Sequence, residues 1–393
     1  MIFNNNKYEK IIVKTFHGLE ETLAREIEEL GGKEVRTEIR MVSFRGNKEL
    51  MYKANLALRT ALRVLLPFKT FNSRHPDNLY RQVKNIDWSE FFSAQKTFAI
   101  DSVVNSKYFP HSKFASLKVK DAIVDQFREK TGKRPSIDTE NPDVRISLHI
   151  ADSVCTLSFD ASGDSLHKRN YRLEKTRAPL NETLAAGLIL LSGWRGDKLF
   201  LDPMCGSGTF SIEAAMIAKN IPPQISRKSF GFFKWKDFDW KLWEKVFAEA
   251  KSNIVEKTCL ISASDISKKS IEIAKGNIKR AGLSGDINIS AADISNLTID
   301  SDEGTAIINP PYGERLKEEN IFKLYREIGD KLKKDFSGFD VWIFSANKEA
   351  LKHIGLRTSR RLTLFNGQLE TKFHKYEMYR GSKKVSKSIT DSG

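Results

Sequence analysis

The chain has 393 residues, of which 40% are hydrophobic and 29% are charged. This composition is typical of a globular protein and excludes a largely disordered one, and the length predicts two or three domains. Lysine and arginine number 65 against 50 acidic residues, a formal net charge of +15, which favours an anionic partner such as a nucleic acid.

The cysteines are few and widely spaced: Cys155, Cys205 and Cys259. Because no Cys-x-x-Cys pair occurs, neither a disulfide framework nor a structural zinc site is predicted. The N-terminus lacks the apolar segment of a signal peptide, and no apolar run approaches the length of a membrane span. We therefore expect a cytoplasmic protein without a metal or a membrane contact, and no pattern indicates a protein partner.

The first 70 residues predict a small α+β domain. Leu19, Leu23, Ile27 and Leu30 have the spacing of one buried helix face, and Gly31-Gly32 ends that helix. The predicted order is β-α-β-β-α-β, that of a ferredoxin-like unit. Its elements are a strand at 10–16, the helix from 18, strands at 35–39 and 41–44, a helix over 48–66 and a strand at 68–71.

A second module is predicted over residues 71–162. Its pattern indicates strands at 97–104, 144–150 and 154–159 with a helix at 117–130. The module lacks a cluster of acids, bases or nucleophiles that would indicate catalysis, so a binding role is predicted.

A basic segment with one aromatic residue follows at 164–177. It contains Lys168, Arg169, Tyr171 and Arg172, and further on Lys175 and Arg177. Such cations can hold phosphate oxygens while the tyrosine stacks on a base, which predicts RNA binding. The alternative is a solvated linker in which the charges have accumulated by chance.

From Leu180 onward helices and strands alternate, which predicts a parallel sheet covered on both faces. An aromatic insertion at 220–253 interrupts this pattern, and its Trp240, Trp243 and Phe247 have helical spacing that predicts a core face. The tail at 381–393 is polar and predicted to be disordered. The predicted helices are at 184–192, 210–219, 267–281 and 321–336, and the predicted strands at 198–201, 260–264, 287–290, 306–308, 339–344, 362–365 and 373–379.

The turn after the strand at 198–201 carries the sequence Asp202-Pro203-Met204-Cys205-Gly206-Ser207-Gly208. Its glycines allow the backbone to approach a ligand, and the next helix offers free N–H groups to a carboxylate or phosphate. Ser211 stands where the dinucleotide fingerprint has its third glycine, and no Gly-Lys-Ser/Thr follows, so the turn indicates neither NAD nor a P-loop.

Two acids follow the next two strands. Asp265 can accept hydrogen bonds from ribose hydroxyls, and Asp293 can accept one from an adenine amino group. Either acid could instead be a helix cap or a surface residue.

The segment Asn309-Pro310-Pro311-Tyr312 follows the buried strand at 306–308. Two prolines prevent further pairing, so the chain leaves the sheet at the carboxyl edge, where α/β folds bind ligands. The Asn309 amide and the Pro310 carbonyl can accept hydrogen bonds from an exocyclic amino group, and Tyr312 can stack on a base.

The glycine turn, the two strand-end acids and Asn-Pro-Pro-Tyr, in this order, resemble the class I S-adenosylmethionine-dependent methyltransferases that modify exocyclic amino groups. With Lys168 to Arg172, Ala178 to Thr183 and Phe230-Gly231-Phe232, the wider chain is similar to bacterial THUMP-domain RNA methyltransferases. It most resembles the 23S rRNA guanine-N2 methyltransferase group, including the amino-terminal part of the fused large-subunit enzyme.

This resemblance implies an α/β chain with a ferredoxin-like domain at 1–70, a THUMP RNA-binding domain at 71–162 and a Rossmann-like methyltransferase domain with a mostly parallel seven-stranded sheet at 163–380. It implies S-adenosylmethionine as cofactor and RNA as partner, with rRNA favoured and tRNA as the alternative. A DNA adenine-N6 methyltransferase and a non-enzymatic assembly factor are further alternatives. Cofactor binding is expected of Asp202, Met204, Cys205, Gly206, Ser207, Gly208, Asp265, Ile266, Asp293, Ile294 and Asn309, and catalysis of Asn309, Pro310, Pro311 and Tyr312.

Overall fold

The computed structural model describes residues 8–172, 180–258, 260–311 and 318–379. Tyr312, Lys175, Arg177 and the tail at 381–393 lie outside this range. The chain forms two compact units. The first unit contains residues 1–170 and 221–254, and the second contains residues 171–220 and 255–393.

The strands are β1 (Glu9–Lys14), β2 (Lys33–Glu38), β3 (Met41–Gly46), β4 (Arg63–Asn72), β5 (Thr97–Asn105), β6 (Ser136–Ile137), β7 (Val144–Ala151), β8 (Val154–Asp160), β9 (Leu199–Asp202), β10 (Ile261–Asp265), β11 (Asn288–Ala291), β12 (Gly304–Ile308), β13 (Phe339–Ser345), β14 (Arg360–Asn366) and β15 (Leu369–Glu377). The helices are α1 (Glu20–Glu29), α2 (Lys48–Ala57), α3 (Pro76–Lys84), α4 (Ser112–Thr131), α5 (Glu182–Ser192), α6 (Thr209–Ala218), α7 (Trp240–Ser252), α8 (Lys268–Arg280), α9 (Glu318–Asp335) and α10 (Lys348–Lys352).

One eight-stranded sheet runs through the first unit in the order β2-β3-β1-β4-β8-β7-β5-β6. Strand β4 pairs with β1 on one side and, antiparallel, with β8 on the other. The ferredoxin-like and THUMP segments therefore share a continuous sheet. The boundaries 1–70, 71–162 and 163–380 remain a prediction, because the compact units divide the chain differently.

The prediction of a helix over 48–66 was wrong in its second half. Helix α2 ends at Ala57 because Leu58 adopts an extended conformation with ψ of 118°. Val64 and Leu65 then pair with Val13 and Ile12 of β1. A short apolar run fits a buried strand as well as a helix, and the available sheet partner decides between them.

The aromatic insertion belongs to the first unit. Tyr52 on α2 stacks on Phe232 with ring centroids 4.6 Å apart, and Trp243 is only 7% exposed in the same core. The core position predicted for Trp243 is confirmed, and Phe247 packs against this core partly buried. The prediction for Trp240 was wrong, because its side chain is 56% exposed at the first turn of α7.

The second unit is built on a seven-stranded sheet in the order β11-β10-β9-β12-β13-β15-β14. The first five strands in this order pair in parallel, and β15 runs antiparallel to both of its neighbours. This confirms the predicted mostly parallel α/β fold and the closing hairpin at Asn366-Gly367. Because β9 lies between β10 and β12, the strand order reverses there, which is where such sheets bind ligands.

None of the helices within the described residues has the length and apolarity needed to cross a membrane.

Candidate functional site

The glycine turn joins β9 to α6 at the point where the strand order reverses. Gly206 and Gly208 have positive φ values of 53° and 79°, and Gly208 is the N-cap of α6. A Cβ on Gly208 would lie 3.2 Å from the Cβ of Ala274 on α8, whereas a Cβ on Gly206 would have no atom within 4 Å. Gly208 thus permits close helix packing, and Gly206 faces open space that a ligand can fill.

Asp202 is the last residue of β9 and is fully buried. The Ser211 hydroxyl donates to its Oδ2 at 2.7 Å, while Oδ1 has no hydrogen-bond partner among the described residues. Burial, with a smaller contribution from the charge of Asp265, raises the pKa of Asp202 to about 7. A buried carboxyl group with one free oxygen is suited to a cationic group of a ligand.

Asp265 connects the glycine turn to the start of α8. Its Oδ2 accepts a hydrogen bond from the backbone N–H of Gly206, and its Oδ1 accepts one from the N–H of Ser267, both at 2.9 Å. Each carboxylate oxygen can accept a second hydrogen bond, so ribose hydroxyls could still bind. The next residue, Ile266, is 73% exposed and offers an apolar surface beside the carboxylate.

Asp293 follows β11 and caps a short 3-10 turn. Its Oδ1 accepts hydrogen bonds from the N–H and the hydroxyl of Ser295 at 2.8 and 2.7 Å. The predicted capping alternative is therefore real for one oxygen, while Oδ2 can still accept from a ligand. The neighbouring Ile294 is 4% exposed and packs in the core of this unit, so its side chain is not available to a cofactor.

The other residues of the turn fix the path of the backbone. The N–H of Cys205 donates to the Ser264 carbonyl at 2.9 Å, and burial raises the pKa of the Cys205 thiol. The Asn277 side chain on α8 donates to the Ser207 carbonyl at 3.0 Å, and Met204 packs against the core of the unit. Sequence reasoning missed Asn277, because its partner lies on another element of the fold.

The Asn309 segment leaves the sheet beside Asp202. All five residues of β12 are buried, and Ala306 pairs with Leu201 of β9, so the two strands present Asp202 and Asn309 at the same edge. The Asn309 Oδ1 is buried without a hydrogen-bond partner in the part of the chain that the structure describes. Pro310 is buried and Pro311 half-buried.

In the basic segment, Lys168 and Arg169 differ in exposure. Lys168 is exposed and forms an ion pair with Asp164 at 3.1 Å. Arg169 is only 2% exposed, and its guanidinium donates to the Arg59 carbonyl. Arg169 therefore has a structural role, and the prediction of RNA binding is kept for Lys168.

Tyr171 and Arg172 belong to the second unit and are held by its own side chains. The Tyr171 hydroxyl donates to Glu213 at 2.9 Å, and Tyr171 is 3% exposed. The Arg172 guanidinium lies 3.2 Å from Glu182 and donates to the Thr209 hydroxyl at 3.1 Å. Both residues thus support the start of α6, and neither presents the open surface that stacking or phosphate binding requires.

Three family profiles match the chain. An RMKL-like methyltransferase domain matches residues 169–375, a THUMP domain residues 73–160 and an RlmL ferredoxin-like domain residues 10–65. The chain belongs to the RMKL-like methyltransferase family. The family resemblance and the fold class predicted from the sequence are thereby confirmed. S-adenosylmethionine, the predicted cofactor, is the methyl donor of this family.

Similar proteins carry related names. The chain is 41% identical over 366 residues to slr0064 of Synechocystis sp. (strain ATCC 27184 / PCC 6803 / Kazusa), provisionally named an RNA methyltransferase, with 92% of this chain and 95% of that protein covered. It is 40% identical over 375 residues to the ribosomal RNA large subunit methyltransferase K/L of Syntrophotalea carbinolica, covering 92% of this chain and 52% of the relative. The chain therefore spans about half the length of that K/L relative.

Solved structures also resemble the whole chain. SMU.472, provisionally named a methyltransferase and solved with SAH, has a TM-score of 0.86 and 29% identity, with 96% of this chain and 100% of that chain covered. A protein of Clostridium difficile 630, provisionally named a methylase, has a TM-score of 0.87 and 33% identity over the same shares. Within residues 8–172, 180–258, 260–311 and 318–379, no group of three or more His, Cys, Asp or Glu could hold a metal ion.

Proposed function

We propose that this methyltransferase transfers a methyl group from S-adenosylmethionine to the exocyclic N2 of a guanine in RNA, with large-subunit rRNA as the substrate. The observation that carries the proposal is the buried Oδ1 of Asn309 at the carboxyl edge of β12, which has no hydrogen-bond partner among the residues that the structure describes. Leaving a buried acceptor unpaired is costly, and a substrate amino group would satisfy it. The THUMP profile and the names of the K/L relatives support RNA as the substrate.

The residues around the glycine turn fit the cofactor. The Oδ1 of Asp202, which no described residue binds, can accept a hydrogen bond from the ammonium group of S-adenosylmethionine. The N–H groups at the start of α6 can donate to the carboxylate of the same cofactor. Asp265 would bind the ribose hydroxyls, the Oδ2 of Asp293 the adenine amino group, and Ile266 the face of the adenine. When bound, S-adenosylmethionine supplies a methyl group already activated on a sulfonium.

The Asn309 segment would position the target amine. Asn309 Oδ1 and the Pro310 carbonyl accept the two N–H groups, which turns the nitrogen lone pair towards the methyl group. The product loses its proton to solvent or to the same acceptors, so the rate enhancement comes mainly from positioning. Tyr312, outside the described residues, is proposed to stack on the guanine, which must be unpaired or flipped to enter.

The test is Asn309→Ala with labelled cofactor and RNA, followed by mass spectrometry of the nucleosides. We expect N2-methylguanosine from the wild type and loss of methyl transfer in the variant, while calorimetry shows that the variant still binds the cofactor. Asn288→Ala, which removes an exposed amide from the same unit, should retain activity. Full activity of Asn309→Ala would refute the assignment of the site.

The choice of substrate separates the alternatives. Purified 23S rRNA, tRNA and genomic DNA are offered in parallel, and methylation of tRNA guanine or DNA adenine would each replace the proposed substrate. RNA binding without turnover on any of them would indicate an assembly factor. The affinity of Lys168→Ala for RNA should be measured in the same experiment at several salt concentrations. If Lys168 contacts one phosphate, its loss should lower the salt slope, the slope of log affinity against log salt concentration, by about 0.7 to 0.9.

A further inference from the structure

Three loops meet at one end of the sheet in the first unit. They follow β4, β5 and β7, and backbone hydrogen bonds join them: the Ser73 N–H donates to the Ser153 carbonyl, and the Asp152 N–H to the Asn105 carbonyl, both at 2.8 Å. The Ser106 hydroxyl also donates to the carbonyl of Asp152. The loops therefore form a fixed surface on the end of a rigid sheet.

Two cations flank one tyrosine on this surface. The guanidinium carbon of Arg74 lies 5.6 Å from the centroid of the Tyr108 ring, and the Lys107 ammonium lies 5.2 Å from it. The Tyr108 backbone N–H donates to Ser106 at 3.1 Å, which orients the residue. Tyr108 is partly exposed and Lys107 is exposed. We call Arg74, Lys107 and Tyr108 the Tyr108 platform.

No described residue neutralises the charges of the Tyr108 platform. Neither Arg74 nor Lys107 forms a hydrogen bond or an ion pair with a residue that the structure describes, whereas other lysines of this unit pair with acids. Those pairs are Lys53 with Glu249, Lys84 with Glu129, Lys118 with Asp77 and Lys130 with Asp87. An exposed cation–π contact is weak, so the two cations remain available for an anionic partner.

Helix α4 begins directly after the same loop. His111 at its N-cap makes no side-chain capping hydrogen bond, and its first turn contains no acid but does contain Lys113. The first N–H groups of this 20-residue helix therefore lack a side-chain acceptor there and carry the positive end of the helix dipole. This helix start follows Tyr108 closely in the chain and favours a negatively charged group such as a phosphate.

We propose that the Tyr108 platform binds an unpaired nucleotide of the RNA substrate. The base stacks on the Tyr108 ring, and Arg74 and Lys107 take the flanking phosphates. Stacking an unpaired base is worth more than an exposed cation–π contact, so the base can displace a cation from the ring. This inference rests on the proposed function, because RNA must be the substrate, and it adds a contact site within the first unit.

The test measures binding of the full-length chain to a short fluorescein-labelled single-stranded RNA over a series of salt concentrations. Tyr108→Ala should weaken binding about fivefold or more, as loss of one stacked base does. Arg74→Ala combined with Lys107→Ala should lower the salt slope by about 1.4, since each lost phosphate contact on a single strand contributes about 0.7.

Matched controls come from an exposed tyrosine with a lysine over its ring on the same unit. The Lys33 ammonium lies 4.6 Å from the centroid of the Tyr8 ring, so Tyr8→Ala and the pair Lys33→Ala with Arg36→Ala remove equivalent groups. These controls should bind RNA like the wild type. Unchanged thermal unfolding and cofactor affinity would show that the platform variants remain folded.

The outcomes separate the two proposals. If the wild type binds and methylates RNA while the platform variants keep its affinity and salt slope, the platform inference is refuted and the proposed function stands. An equal loss in the Tyr8 and Lys33 controls would also refute it, because the effect would then be one of general charge. A wild type that neither binds nor methylates RNA would overturn the proposed function itself.

Discussion

The protonation of Asp202 gives the sharpest physical prediction. Its pKa is raised from the ordinary 3.8 to about 7, chiefly by burial. At pH values between the two pKa values, Asp202 keeps its proton in the folded protein but has lost it in the unfolded chain. At Asp202 the folded state therefore binds more protons, and the contribution of this residue to the stability of the ligand-free protein falls as the pH rises from about 4 to about 7.

The magnitude follows from the size of the shift. Each pKa unit corresponds to about 1.4 kcal/mol, so a shift of about three units costs the folded state roughly 4 kcal/mol above pH 7. Asp202→Asn keeps the shape of the side chain and removes the titration. Relative to the wild type, the free energy of unfolding of the variant should rise by about 2 kcal/mol between roughly pH 5 and pH 7, and level off near pH 8.

Urea unfolding of both proteins without ligand, repeated across this pH range, measures the difference. Asp197→Asn removes an exposed carboxylate from the same unit and should follow the wild-type profile. Parallel pH profiles for the wild type and Asp202→Asn would refute the reasoning, because the buried carboxyl group would then not hold a proton in the folded state.

Two further substitutions, each paired with a control, test the glycine turn and the aromatic insertion. Gly208→Ala places a side chain at φ of 79° and 3.2 Å from the Cβ of Ala274, and should cost about 1–2 kcal/mol and weaken cofactor binding in calorimetry. Gly282→Ala has a similar φ of 74° but open space, so it should lose stability and leave cofactor affinity unchanged. Trp243→Ala should cost about 3–5 kcal/mol in urea unfolding, whereas Trp240→Ala, on an exposed side chain, should change it by less than about 0.5 kcal/mol. Equal losses for the two tryptophans would contradict the core position of the insertion.

The sequence by itself determined the order of the seven strands in the second unit, whereas it missed the short helix α10. Gly208, Asp265, Asn309 and the hairpin at Asn366-Gly367 could be located because each depends on a local requirement. These local requirements are a positive φ, a strand end, a proline that stops pairing and a tight turn. Neighbouring residues in the sequence are enough to indicate each of them.

The tertiary structure decided what depends on distant partners. The apolar run at 64–66 became a strand because β1 and β8 offered pairing, and the insertion joined the first unit because Phe232 meets Tyr52. Arg169 is buried against a distant carbonyl although its charge suggested the surface. Periodicity and composition report which face of an element is apolar or charged, but not which part of the chain will cover it.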